Sequence, residues 1–294
     1  MTSRSFVNRF SLGVIKSMKK KQLIIEKSLE LFAEQGFEAT SVQQITECCG
    51  ISKGAFYLSF KSKDELILAL IDQFMTQFLS DVDFAVRNTI NMEKLLYDFY
   101  YMSFTSFSKY TNFGKVFIKE QTHSVNDELI SKMHYYNHLH EKTILALVEK
   151  IYGDNVKETK YDLVYCIKGF MKTYAEHLLF SNMLPDLEAL AQSLAEKTNI
   201  LAKHMSNPYI THGFVPLFVD QQQEVDHKEE ILQFIAQNLT EVEDSILKES
   251  LALLRDELLK PSLSQALVKG LIENIRNHPQ CKWTAYLLLN YYDF

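Results

Sequence analysis

Glycine and proline are scarce in this chain, nine and five among 294 residues. Turn-rich β structure depends on both, so their scarcity argues against sandwiches and barrels and for long uninterrupted helices. The four cysteines, Cys48, Cys49, Cys166 and Cys281, show no CxxC spacing and no disulfide-framework density. A reducing cytoplasm is the expected compartment. No apolar run reaches the roughly 18 residues of a membrane span, so no membrane partner is expected. Residues 1–21 carry Arg4, Arg9, Lys16, Lys19, Lys20 and Lys21 but no long apolar stretch, which disfavours a signal peptide. Phosphate loops, HExxH and nucleophile–base motifs are missing, so neither catalysis nor a cofactor is expected.

What is present is a core and a divided charge. The length suits two or three small domains, and a 47% hydrophobic composition can supply a sizeable core. The net charge is −6. Residues 1–63 hold ten Lys/Arg against five Asp/Glu, a net +5, while the remainder holds 21 against 32, a net −11. A basic head on an acidic body places cationic surface where a phosphate backbone needs it, and binding there should weaken with salt.

The basic head, residues 21–66, reads as three helices with a tight turn before the third. Ile24, Ser28, Leu31 and Phe32 share one face of the first helix, and Gly36 is placed to stop it. Ser41 with Gln44, or Thr40 with Gln43, has capping-box spacing for the second helix, with Val42, Ile45 and Cys49 facing inward. Cys48 and Cys49 read as core filling. Gly50 supplies the turn and Ser52 caps a short third helix. Phe56 and Phe60, four apart, anchor it inward and leave Lys53, Ala55, Tyr57 and Ser59 pointing out. Gly54 allows a second backbone close approach. Such a helix suits a major groove. Ser62 with Glu65 opens a fourth helix, roughly 63–80, whose N-terminal Lys63 opposes the helix dipole; a phosphate partner would account for it.

Leu31-Phe32, Gly36-Phe37, Thr40, Ile45, Gly50, Ser52-Lys53-Gly54, Phe56-Tyr57, Phe60, Ser62-Lys63 and Leu66 together resemble the N-terminal domain of the TetR family of transcriptional regulators. The resemblance implies an all-α homodimer that binds a near-palindromic double-stranded operator. It also implies a second helical domain that takes a small ligand, releases the DNA, and dimerises through its last two helices, here near 158–182 and 186–204. By position, Thr40, Tyr57, Ser59 and Lys63 would meet phosphates; Gln43, Gln44, Lys53 and Ala55 would lie near base edges. Ser59 departs from the family pattern, which usually has Tyr or His there, and shortens the reach to phosphate.

On this reading 1–20 is a basic arm, 21–66 the DNA-binding domain and 67–205 the ligand-binding and dimerisation domain, with helices near 91–109, 112–122, 126–152, 158–182 and 186–204. Aromatic stripes at helical spacing are usually core. Tyrosines add hydroxyls that need partners when buried. Tyr100, Tyr101, Phe104, Phe117, Tyr136, Tyr165, Phe170, Tyr174 and His177 are the candidate lining of a pocket for a lipophilic, aromatic or cationic effector. His134 and His138 are four apart, but no nearby Cys or acidic residue completes a metal set, so no metal is expected. Residues 206–227 read as a linker and 228–294 as four further helices, beyond where a TetR-like chain ends. The extension is either a helical buttress that packs on the ligand domain or widens the dimer interface, or a docking site for a second protein.

Overall fold

The computed structural model describes residues 20–89, 91–109, 111–112, 114–115, 127–180, 185–210 and 221–294. Among them every regular element is helical. The helices are α1 (residues 20–35), α2 (Val42–Cys49), α3 (Lys53–Tyr57), α4 (Lys63–Asn88), α5 (Met92–Lys109) and α6 (Asp127–Tyr152). They continue with α7 (Lys160–Phe180), α8 (Leu187–His204), α9 (Gln221–Glu241), α10 (Ser245–Leu259), α11 (Gln265–Arg276) and α12 (Lys282–Tyr291). Residues 1–19 of the basic arm, most of the short helix expected near 112–122 and residues 211–220 of the linker lie outside the described residues.

Three boundaries differ from expectation. α4 continues to Asn88, because Leu79, Val82 and Val86 extend its apolar face past residue 80. α8 begins at Leu187 rather than at 186, because Asp186 is its cap: the carboxylate accepts from the Ala189 amide at 2.9 Å. α9 begins at Gln221, within the stretch read as linker. Where helix α9 runs through Gln221–Gln223, glutamine's good helix propensity accommodates it.

The chain forms two compact units. The first comprises residues up to 75, 104–139 and 173–185. Ile24, Ile25, Ser28 and Phe32 bury one face of α1, and Phe37 meets Phe32 edge-on at 5.2 Å. Leu66, Ile67, Leu70, Ile71 and Phe74 bury the first half of α4. On its other side Asp72 binds Lys132 at 2.6 Å and the Tyr136 hydroxyl at 2.8 Å. A side chain at Gly114 would come within 2.9 Å of the Phe107 ring and 3.1 Å of Leu179, so this spot is closely filled.

The second unit comprises residues 76–103, 140–172 and 186–294. The extension therefore shares a core with the body. α10 packs on α9 and α11, and α12 closes the ring against α9 and α11. Trp283, Thr284, Ala285, Tyr286, Leu287, Leu288 and Leu289 are all buried, which is the pattern of a helix covered on every side. Polar ties fix its register. Asn238 of α9 donates to the Gln280 carbonyl at 2.8 Å, Lys282 pairs with Asp81 at 3.0 Å, and the Tyr286 and Thr143 hydroxyls lie 3.3 Å apart. Arg87 bonds both the buried Asp83, at 2.8 Å, and the Phe294 carbonyl. Burial pushes the Asp83 carboxyl up, against the opposing pull of Arg87 and then Arg276. The α10–α11 turn is held by buried Glu257, which accepts from the Ser262 and Leu263 amides at 2.7 and 2.8 Å beside Pro261. These contacts favour the buttress reading of the extension.

Leu288 is fully buried, and truncating such a leucine costs its transfer energy plus a cavity. Leu288→Ala is expected to lower unfolding free energy by about 2–5 kcal/mol in urea titrations. A second test concerns His140. Its Nε2 is sealed from solvent without a hydrogen-bond partner, and its ring lies 5.6 Å edge-on from Phe78. Burial, and secondarily the Lys168 charge, lower its pKa from 6.5 to about 4. Between those values the unfolded chain binds the extra proton, so this residue's contribution is full above pH 6.5 and is lost as pH falls toward about 4. In His140→Phe, stability measured across that window should fall less steeply than in the parent.

Candidate nucleic-acid interface

The first three helices are set by local chemistry. Gly36 and Gly50 hold φ of 93° and 63°, the left-handed region that ends α1 and α2 without a Cβ penalty. At α2, Ser41 accepts from the Gln44 amide at 3.2 Å while Gln44 Oε1 accepts from the Ser41 amide at 2.8 Å, closing a reciprocal capping box. Ser52 caps α3 through the Ala55 amide at 3.2 Å. Five residues of helix are too few to be stable alone. Phe56 and Phe60, both fully buried, hold α3 in place.

The outward face carries Gln43, Glu47, Lys53, Gly54 and Tyr57, with Tyr57 53% exposed. Gln43 donates to Glu47 at 2.9 Å and accepts from Lys53 at 3.4 Å, so a polar chain runs from α2 to α3. Tyr57 packs edge-on against Phe56 at 5.4 Å, which steadies its ring beside Lys53. A cation, an amide and a phenol presented together can meet phosphate oxygens and base edges.

Other sequence candidates are engaged inside the protein. Thr40 is buried; its hydroxyl donates to the Gly36 carbonyl at 2.7 Å and accepts from Gln35 at 3.1 Å. Gln44 is committed to the α2 cap. Ala55 is half-buried, and the Ser59 hydroxyl turns back to the Ala55 carbonyl at 3.4 Å. Lys63 reaches across the α1–α2 turn, donating to the carbonyls of Phe37 at 2.6 Å and Thr40 at 3.1 Å, 4.2 Å from the Phe37 ring centre. Its position against the helix dipole is thus balanced by carbonyl dipoles within the protein. Cys48, expected in the core, is exposed, and Thr46 is buried in its stead, because residues 45 and 46 carry the inner line of α2. Leu58, at the end of α3, is 89% exposed and is not among the sequence candidates; its angular position relative to Phe56 is the signal that finds it.

The effector candidates divide between the units. Phe104, Tyr136, Tyr174 and His177 lie in the first, and Tyr100, Tyr101, Tyr165 and Phe170 in the second. Phe117 lies outside the described residues. Phe104 and Tyr136 are buried. Tyr100 is buried too, and its hydroxyl meets that of Thr198 at 2.8 Å. Tyr101 stacks on Tyr97 at 5.8 Å, while Phe170 and Tyr174 are half-buried. Tyr165 and His177 are solvent-facing, contrary to a lining role within one chain, because each lies on the outer side of α7. Among the described residues, no group of three His, Cys, Asp or Glu side chains is placed to hold a metal ion, and no helix is long and apolar enough to cross a membrane.

Residues 24–70 match the family model described as bacterial regulatory proteins, tetR family. The chain belongs to the TetR family. It is a transcriptional regulator of that family. It is 27% identical over 268 residues to the HTH-type transcriptional regulator YerO of Bacillus subtilis, covering 87% of this chain and 90% of that protein. To YuxN of the same organism it is 26% identical over 273 residues, covering 87% and 92%. Matches of that span reach well past residue 205, so these two relatives share much of the extension. The fold is shared with FadR from Bacillus halodurans, at a TM-score of 0.55 and 18% identity, over 64% of this chain and 97% of that one. A TetR/AcrR-type regulator from Aquifex aeolicus gives 0.51 and 24%, over 62% and 99%. Those solved chains are nearly fully matched, while more than a third of this chain finds no counterpart in them.

Lys63 is the residue whose role the structure changes most. Lys63→Ala leaves the Phe37 and Thr40 carbonyls without their charged donor. It should lower unfolding free energy by about 1–3 kcal/mol and speed amide hydrogen exchange at residues 36–40.

Proposed function

We propose that this regulator is a homodimeric repressor that a small effector releases from its operator. The observation that carries the reading is the outward face of α3 and α2: Lys53, Gln43 and Tyr57, held by the buried Phe56 and Phe60 and open to a duplex. A basic N-terminal head supports the same reading through its phosphate affinity. Dimerisation through α7 and α8 is supported by their exposed apolar residues, Tyr165 at 47% and Ile200 at 52%, both in the second unit. An effector site in the helical body, apolar with few polar handles, is supported by the buried rings of Phe104 and Tyr136, both in the first unit.

Selection of bound genomic fragments tests the reading. It should return sites with two half-sites about 10 bp apart or a multiple of that spacing. Affinity should fall steeply between low and high salt. Lys53→Glu should weaken specific binding by about 10- to 100-fold with thermal stability retained. A footprint without paired half-sites counts against the homodimer, and equal binding by Lys53→Glu counts against the face.

A further inference from the structure

Phe56 is fully buried and marks the inward direction of α3. Successive helical residues turn by about 100°. Gly54 and Leu58 therefore lie about 160° and 200° round from Phe56, straddling the outermost line of the helix. Tyr57 and Ala55 lie on the two flanks. Leu58 keeps helical backbone angles, φ −74° and ψ −20°, and its amide bonds the Gly54 carbonyl at 3.1 Å, so the angular argument holds at its position. In front of Gly54 the space is open: an added Cβ would meet nothing nearer than Ser52 Oγ at 3.9 Å.

The outermost line of the helix thus has one bare backbone position and one projecting apolar side chain. A lone surface leucine is ordinary. This one stands on the outermost line of the helix, about 100° round from Tyr57, with the glycine beside it removing the side chain that would hold a surface away. A polar face meant for water or phosphate alone gains nothing from an 89% exposed leucine. In the major groove, the apolar group on offer is the C5-methyl of thymine.

We infer that Leu58 is a specificity-determining residue, reading a thymine methyl in each half-site while Gly54 lets the helix backbone close onto the groove. This rests on the DNA-binding reading and deepens it. The base-contacting set becomes Lys53, Gln43 and Leu58 in place of Ala55, which is half-buried on a flank, and Gln44, which caps α2.

The test uses the full chain and duplexes selected from a random library, with each thymine replaced in turn by uracil, which lacks only the methyl. At one position per half-site uracil should weaken the parent protein by about fourfold, the value of one buried methyl-sized group. Leu58→Ala should bind the thymine duplex more weakly by at least as much, and should no longer distinguish uracil from thymine there. Leu58→Gln, which keeps length and adds a hydrogen-bonding tip, should select a different base at that position when the library is reselected. Circular dichroism melts confirm that both variants fold. The inference is overturned if uracil costs nothing at any position, or if Leu58→Ala retains the parent's preference for thymine. Failure to select any duplex sinks the DNA-binding reading and this one with it, whereas selected half-sites that are insensitive to uracil remove this one alone.

Discussion

The burial of one ring, Phe56, governs what the head of this molecule presents. A five-residue helix has almost no stability of its own, so its rotation about its axis is set by whichever side chain the core accepts. With Phe56 and Phe60 inside, Lys53, Gly54, Tyr57 and Leu58 are outside. The Ser52 cap and the left-handed Gly50 fix where the helix starts and at what angle it leaves α2. Lys63 performs the same office one turn of chain later. Its ammonium gathers carbonyls of the α1–α2 turn and so ties the start of α4 to the segment ahead of α2. The presented face is consequently a product of interior contacts.

The second unit rests on a different constraint. α12 is apolar on all sides and cannot be left in water. It is placed by pairs reaching far along the chain: Lys282 with Asp81, Tyr286 with Thr143, Arg87 with the carbonyl of Phe294. The extension therefore completes a core, and its sharing with YerO and YuxN is what that dependence leads one to expect.

Helices, caps and the inward pair Phe56 and Phe60 were legible in the sequence because each follows from spacing of three or four residues. The extent of α4 was less so, since its apolar face continues through Val82 and Val86 with charged residues between. Side-chain commitments were least legible. Thr40, Gln44, Ser59 and Lys63 stand at surface-facing positions by count, yet each spends its polar atoms on a neighbouring backbone or side chain. Such bonds depend on where a turn brings distant carbonyls, as Lys63 does with Phe37 across 26 residues, and periodicity carries no information about them. Leu58 is different: its outward place relative to Phe56 follows from the helix repeat alone, yet an apolar residue is not a type that marks a surface for polar contact.

The position of α12 in the chain bears on how the protein reaches its fold. Its partners Asp81 and Thr143 precede it by 201 and 143 residues. During synthesis those helices emerge long before the element that covers them. Closing such distant contacts carries a loop-closure cost and slows folding relative to a bundle of neighbouring helices. The three-helix head, built from contacts within a few dozen residues, can form early, while the second unit waits with apolar surface uncovered. That interval is when chaperones or premature self-association would act on the nascent chain.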